Sequence, residues 1–326
     1  MASAPDMVTI HEIAGLRVGV CDVAVDVGID VGIDECDVLL TDQDDPPRPW
    51  VTGALPELEH AVQASPAAAV VLSQVLRATE HLAVAAGLTV ESLGYSVLQH
   101  GARFRAWLDE RPSRPPRPPR PAPGDPVLLR RVDDRLDVVL QRPEVHNALS
   151  AAMRDALIEA FELVDADPAI SAVHLRGAGP SFCSGGHLDE FGTARDAGAA
   201  HLLRVERSVG RRVHEQRARV TAHLHGACVG AGIELAAFAG RVVARPDTLI
   251  RLPELGMGLI PGAGGTVSIP RRIGRHRTAF LALTGGALDA ATALRWGLVD
   301  ELDEDEVDED EPRACGPGPG TGPAGG

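Results

Sequence analysis

Two glutamates, Glu234 and Glu254, stand twenty residues apart in glycine-rich and otherwise apolar sequence. Burying a carboxylate among apolar groups costs free energy unless it is paired or hydrogen-bonded. A single glutamate of this kind is accounted for by a structural ion pair or by a helix N-terminus. Two of them in similar surroundings favour chemistry, because proton transfer at neutral pH uses carboxylates whose environments hold their pKa values apart.

Glycine-rich turns accompany the glutamates. Gly230–Gly232 precede the segment 233–238, which reads as the opening of a buried helix, so free N–H groups are expected near Ala231. A second glycine turn, 177–186, follows an apolar strand predicted at 172–175. Helix starts of this kind stabilise an oxygen that gains negative charge. We expect one N–H from each turn to meet in a single oxyanion hole.

The residues that several other kinds of catalysis or metal binding require are absent from the sequence. The chain has no GxxxxGK[ST] motif and no lysine, which argues against a P-loop and excludes a Schiff-base lysine. The five cysteines form no CxxC pair and no metal-ligand spacing, so no metal site is expected. An odd cysteine count without a framework fits a reducing compartment, and the N-terminus lacks a signal-peptide pattern. The cytoplasm is the expected location.

Five segments of the chain resemble the successive signature segments of the enoyl-CoA hydratase/isomerase (crotonase) superfamily, in the same order and at similar spacing. They are RPEVHNAL, FCSGGHLDEF, GACVGAGIELAAF, LPELGMGLIPGAGGT and LTGGALDAATALRWGLVDEL, within about 126–302. The resemblance implies an α/β fold, a crotonase-like spiral of ββα units. It also implies an acyl-CoA enzyme in fatty acid metabolism with no cofactor beyond the coenzyme A thioester substrate.

The resemblance assigns roles to particular residues. The oxyanion N–H donors fall on Gly186 and Ala231, and the catalytic carboxylates on Glu234 and Glu254. Ala231 replaces the usual glycine, which a backbone donor tolerates if its φ is negative. The positions expected to bind coenzyme A are Arg142, Val145, His146, Ser184, His187 and Leu188, with the cluster Arg271–Arg277 as further candidates for its phosphates. His187 replaces a residue that is commonly acidic in the family.

The family's shared step is stabilisation of a thioester enolate. With both glutamates present, the resemblance implies a hydro-lyase that adds water to a 2-enoyl-CoA and forms a 3-hydroxyacyl-CoA. Isomerisation needs only the carboxylate at the Glu254 position. Thioester hydrolysis, decarboxylation and cofactor-free dioxygenation use the same oxyanion hole, and a non-catalytic acyl-CoA-binding scaffold is the alternative outside enzymes.

The chain divides by composition into five parts. We expect an acidic segment with short strands at 1–60, helices at 61–110, an Arg/Pro-rich linker at 111–124, the catalytic core at 125–302 and a disordered acidic, Pro/Gly-rich tail at 303–326. Within 61–110, Ser65-Pro66 is a helix start, Gly87 is expected to end that run, and a second helix is expected from Thr89 with Leu93 and Val97 on its apolar face.

The helical segment has two interpretations. It is either an appended helical hairpin or a relocated helical cap, because ESLGYSVLQHGARFRAWLDERP is similar to the segment that usually ends chains of this family. The net charge of −15 and the 3% aromatic content argue against nucleic acid, and no apolar span is long enough for a membrane. The resemblance implies a homo-oligomer, a trimer or a hexamer.

Overall fold

The computed structural model describes residues 8–21, 33–111 and 124–303. Most of the predicted linker, 112–123, and of the predicted tail, 304–326, therefore lies outside the described residues. None of the helices in the described ranges is long and apolar enough to cross a bilayer.

The described residues between 9 and 110 form a small sheet followed by four α-helices. The strands are β1 (Thr9–Ile13), β2 (Leu16–Val20), β3 (Val38–Thr41) and β4 (Val51–Thr52). The helices are α1 (Leu55–Ala64), α2 (Pro66–Thr79), α3 (Val84–Gln99) and α4 (Ala102–Glu110). Strands β1 and β2 are antiparallel, and β2, β3 and β4 are parallel neighbours.

Helix α3 differs from its prediction. It begins at Val84 rather than Thr89, and Gly87 lies inside it instead of ending the preceding run. A Cβ on Gly87 would lie 3.1 Å from Val267, so this glycine permits a close crossing between α3 and the core. Leu93 and Val97, predicted on the apolar face, are 51% and 68% exposed. The buried stripe passes instead through Leu88, Glu91 and Leu98 and their neighbours.

The rest of the described chain alternates strands and helices. Its strands are β5 (Val127–Val132), β6 (Arg135–Leu140), β7 (Ala172–Gly177), β8 (Val220–Leu224), β9 (Ala227–Val229), β10 (Arg241–Ala244), β11 (Leu249–Arg251), β12 (Leu288–Asp289) and β13 (Glu301–Leu302). Its helices are α5 (Ala151–Ala166), α6 (Ala197–Glu206), α7 (Val209–Glu215), α8 (Ala231–Ala236), α9 (Gly265–Ile273), α10 (Arg275–Thr284) and α11 (Ala290–Trp296). Helix α5 follows its N-cap Ser150, whose Oγ accepts the N–H of Met153.

Two sheets organise this region. One has the order β13-β10-β8-β7-β6-β5, in which only the terminal pair β5–β6 is antiparallel. The other has the order β12-β11-β9, with β9 and β11 parallel. Strands β8 and β9 are separated by a tight turn at Gly226, so the chain passes from the first sheet to the second just before the glutamates.

The N-terminal helices share one apolar core with the strand–helix region. A single cluster of buried side chains includes Leu16, Leu58 and Leu72 together with Ile233 and Leu298. Helices α2 and α3 pack on α9, and α3 also packs on α6. Because burial of this apolar surface is the main favourable term in folding, the two regions stabilise each other.

Two buried arginines connect the two regions by hydrogen bonds. Arg275 and Arg277 are 5% and 4% exposed. Arg275 donates hydrogen bonds to the carbonyls of Asp34 and Cys36, and Arg277 donates to those of Pro46 and Trp50. The prediction that these two arginines meet coenzyme A phosphates is therefore wrong, because both guanidinium groups are buried against the N-terminal region.

Candidate active site

Gly230 brings the two predicted catalytic glutamates together. It connects β9 to α8 with a φ of +49°, a conformation that favours glycine. A Cβ built at this position would lie 2.4 Å from Oε1 of Glu254 and 3.7 Å from Oε1 of Glu234. The two carboxylates therefore flank the same point of the backbone, and a side chain at position 230 would displace Glu254.

Glu234 lies in the first turn of α8 and is 2% exposed. Its Oε2 accepts the N–H of Ala263 at 2.7 Å and the N–H of Gly265 at 2.9 Å, where α9 begins. Burial raises the pKa of Glu234 to about 7, and these two hydrogen bonds oppose the rise because they stabilise the ionised form. Near neutral pH, this carboxyl can therefore take up and release a proton.

Glu254 begins a short 3-10 helix, Glu254–Met257, after β11, and it is 8% exposed. Its Oε2 is buried and has no hydrogen-bond partner among the described residues. Burial raises the pKa of Glu254 well above its ordinary value, and the charge of Glu234 adds to this effect. The two neighbouring carboxyls thus have different surroundings, because Oε2 of Glu234 accepts two N–H groups and Oε2 of Glu254 accepts none in the described chain.

A cavity of about 240 Å³ opens onto both glutamates. Gly186 and Ala231 line it too, and their N–H groups donate to no backbone carbonyl in the described chain. Ala231 has no positive φ, which meets the condition for an alanine at this position. A Cβ on Gly186 would lie 2.7 Å from the ring of Phe191, so glycine is needed for that turn.

The residues predicted to bind coenzyme A lie on two adjacent segments beside the cavity, 142–149 and 184–188. The N–H of Leu149 donates to Gly185 O, and the N–H of His187 donates to Leu149 O, which joins the segments. His187 lines the cavity, and its Nδ1 is buried without a partner in the described part of the chain. Leu188 is 43% exposed.

The other five predicted residues for coenzyme A, Leu188 among them, lie outside the cavity wall. The Oγ of Ser184 donates to Val145 O at 3.4 Å, and a ring nitrogen of His146 lies 3.1 Å from the Oγ of Ser181. The guanidinium of Arg142 donates to the carbonyls of residues 124, 125 and 141.

Sequence reasoning missed a third buried carboxylate, Glu91 of α3. Its Oε1 accepts the N–H of Gly264 at 2.8 Å, and its Oε2 accepts the N–H and Oγ1–H of Thr266 at 2.9 and 2.7 Å. At the start of α9, successive N–H groups therefore alternate between Glu234 and Glu91. An acid within the apolar stripe of α3 was the signal that could have identified it.

Burial and the charge of Glu234 raise the pKa of Glu91 to about 8. Tyr95, one turn further along α3, was also missed. Its ring packs on Gly262, where a Cβ would lie 2.3 Å from the ring, and it lines the cavity beside Glu234. The N-terminal helices thus form part of the wall of the site. In the described ranges, no group of three or more His, Cys, Asp or Glu side chains could hold a metal ion.

Comparison with known proteins gives consistent matches. A sequence profile of the family described as enoyl-CoA hydratase/isomerase matches residues 136–316, more than half of the chain. The chain is 33% identical over 174 residues to enoyl-CoA isomerase/hydratase fer4 of Mycosarcoma maydis, covering 51% of this chain and 64% of that protein. It is 33% identical over 177 residues to 1,2-epoxyphenylacetyl-CoA isomerase of Escherichia coli strain K12, covering 53% and 67%.

Among solved structures, enoyl-CoA hydratase from Thermoplasma volcanium GSS1 is similar, with a TM-score of 0.52 and 32% identity. The likeness covers 56% of this chain and 73% of that one. The chain spans slightly less than two thirds of the length of the fungal relative. The names of these relatives include both hydratases and isomerases, so the comparisons give the family without the reaction.

Proposed function

The chain belongs to the enoyl-CoA hydratase/isomerase family, and on this premise we propose that it adds water to a 2-enoyl-CoA to form a 3-hydroxyacyl-CoA. The observation that carries the proposal is the pair of buried carboxyls, Glu234 and Glu254, beside one cavity and with different hydrogen-bond partners. An acid and a base at adjacent carbons are what the addition of water across a double bond requires.

Glu234 acts as the base. The oxygen of a water molecule attacks Cβ of the enoyl group while the carboxylate of Glu234 takes one of its protons. The electron pair of the double bond moves toward the thioester, whose oxygen becomes an enolate oxygen. The N–H groups of Gly186 and Ala231 stabilise this oxygen, and each such donor contributes about 3 kcal/mol to a transition state of this type.

Glu254 acts as the acid. Burial raises its pKa well above the ordinary value, which favours the protonated form, and it donates this proton to Cα of the enolate. The sum of the two steps adds one water to the double bond, and it leaves Glu234 protonated and Glu254 ionised. Return of the proton from Glu234 to Glu254 restores the starting state for the next turnover.

Coenzyme A is bound in this proposal by Arg142, Val145, His146, Ser184, His187 and Leu188, which lie on the two segments beside the cavity. No other cofactor takes part. The N-terminal helices act as the cap of the site, since Tyr95 of α3 lines the cavity and Glu91 of the same helix accepts the N–H groups of Gly264 and Thr266 beside it. The protein works as a homo-oligomer, a trimer or a hexamer, in the cytoplasm.

The proposal is tested with crotonyl-CoA, by following the loss of enoyl absorbance. We expect turnover by the unaltered protein and a loss of at least a hundredfold in both Glu234→Gln and Glu254→Gln. Tight binding of a coenzyme A thioester by each variant shows that the site is intact. Tight binding by the unaltered protein without turnover of any thioester would instead support a scaffold.

A further inference from the structure

A second cavity of about 130 Å³ adjoins the one that holds the glutamates. The two cavities share the wall residues Leu149, Arg154, Arg204, Gly262 and Ala263. A substrate whose reacting carbons lie at the glutamates can therefore extend its far end along this shared wall. An ordinary fatty acyl tail needs an apolar surface there, whereas this wall carries two guanidinium groups.

Arg204 of α6 is held rigidly in the shared wall. Its guanidinium lies over the ring of Tyr95, with Cζ 4.8 Å from the ring centroid. It donates hydrogen bonds from Nε to Ser92 Oγ at 3.1 Å, from Nη1 to Gln99 Oε1 at 3.3 Å, and from Nη2 to Ser96 Oγ. All three acceptors are neutral, and two of the five N–H groups of an arginine remain after these bonds.

No carboxylate pairs with Arg204 in residues 8–21, 33–111 or 124–303. The other arginines that line the smaller cavity differ, because Arg154 and Arg207 both contact Oδ1 of Asp155, at 2.9 and 2.8 Å. Burial lowers the pKa of Arg204, which reflects the free-energy cost of holding a charge away from water. A desolvated cation of this kind gains most from an anion that enters the cavity.

The acids close to Arg204 leave its charge available. Glu91 lines the same small cavity, but its two carboxyl oxygens accept hydrogen bonds from Gly264 and Thr266 and none from Arg204. Glu190 lines only the larger cavity, and both oxygens of its carboxylate accept the N–H of Ala151. The wall beyond the glutamates is therefore positively charged.

We propose that the acyl group of the substrate is short and ends in a second carboxylate, which Arg204 binds. The substrate class is then the mono-coenzyme A thioester of a 2-enedioic acid. This inference rests on the proposed hydration, and it adds the identity of the group at the far end of the chain. Two parallel N–H···O bonds from one guanidinium to a carboxylate would use the remaining donors of Arg204.

The test compares two matched thioesters with the full-length protein. One is the mono-coenzyme A thioester of 2-pentenedioic acid. The other is the coenzyme A thioester of 2-pentenoic acid, which has a methyl group in place of the second carboxylate. We expect kcat/KM to be at least tenfold higher for the dicarboxylic thioester. Equal rates, or a preference for the methyl compound, would overturn the inference and leave the proposed hydration intact. Failure of both compounds would count against the hydration itself.

Variants of Arg204 then identify the group responsible. In Arg204→Gln the ratio of the two kcat/KM values should fall by at least tenfold, and Arg204→Lys should restore part of it. If Arg204 instead contacts the phosphates of coenzyme A or only supports the fold, both thioesters lose activity in proportion and the ratio stays constant. Arg211→Gln is the matched control, because Arg211 is exposed on α7, pairs with Glu215 and lines neither cavity. Its ratio should equal that of the unaltered protein.

Discussion

Replacing Glu254 by glutamine measures how much the burial of this carboxyl group lowers the free energy of unfolding. Its pKa in the folded protein lies well above the ordinary value of 4.5, so the folded protein keeps a proton that the unfolded chain releases above pH 4.5. The folded state therefore loses stability as the pH rises, by about 1.4 kcal/mol per pH unit. The loss continues until the pH passes the raised pKa of the folded state.

Glutamine at position 254 has no proton to release, and it breaks no hydrogen bond to Oε2, because no donor in the described chain contacts that oxygen. We expect Glu254→Gln to be nearly as stable as the unaltered protein at pH 4.5 and more stable above it, with a difference that grows by up to about 1.4 kcal/mol per pH unit. The assay is urea unfolding at several pH values, with turnover measured on the same samples. The exposed Glu57→Gln should leave the pH dependence unchanged.

A variant that is less stable at pH 7, or a stability difference that does not grow with pH, would refute this reasoning. Either result would mean that Glu254 is ionised and compensated in the folded protein. It could then not serve as the acid in the proposed hydration.

Three further predictions follow from the same contacts. Ala231→Pro removes one oxyanion donor at the first position of α8, where proline fits, so steady-state kcat should fall about a hundredfold with little change in the unfolding midpoint. Ionisation of Glu91 above about pH 8 adds a second negative charge beside Glu234, so a pH–rate profile should show kcat/KM declining there. In Glu91→Gln the same profile should show the decline at higher pH. Arg275→Met leaves the carbonyls of Asp34 and Cys36 unpaired, and urea unfolding should show a loss of about 3 kcal/mol.

The sequence predicted the elements whose signals are local. The turn at Gly230 and the strand that ends at Gly177 are each set by residues within a few positions of one another. The α/β fold implied by the family resemblance is confirmed by the likeness to a solved enoyl-CoA hydratase. The proximity of Glu234 to Glu254 could also be expected, because each follows a strand of the same three-stranded sheet.

What the sequence did not predict depends on packing between distant segments. Gly87 usually reads as a helix end, yet here its missing side chain allows α3 to approach Val267. Glu91 has no local partner, since its hydrogen bonds come from Gly264 and Thr266, more than 170 residues away. Arg275 was expected to contact coenzyme A phosphates, because nothing in the local sequence indicates its partners, the carbonyls of residues 34 and 36.

The central claim is that Glu234 and Glu254 together add water to the double bond of an enoyl thioester. The most direct measurement is turnover of a 2-enoyl-CoA in water labelled with oxygen-18, followed by mass spectrometry of the acyl product. The account predicts a 3-hydroxyacyl product with one labelled oxygen at Cβ, and none from Glu234→Gln. An unlabelled product with a shifted double bond, or labelling that survives the substitution, would contradict it.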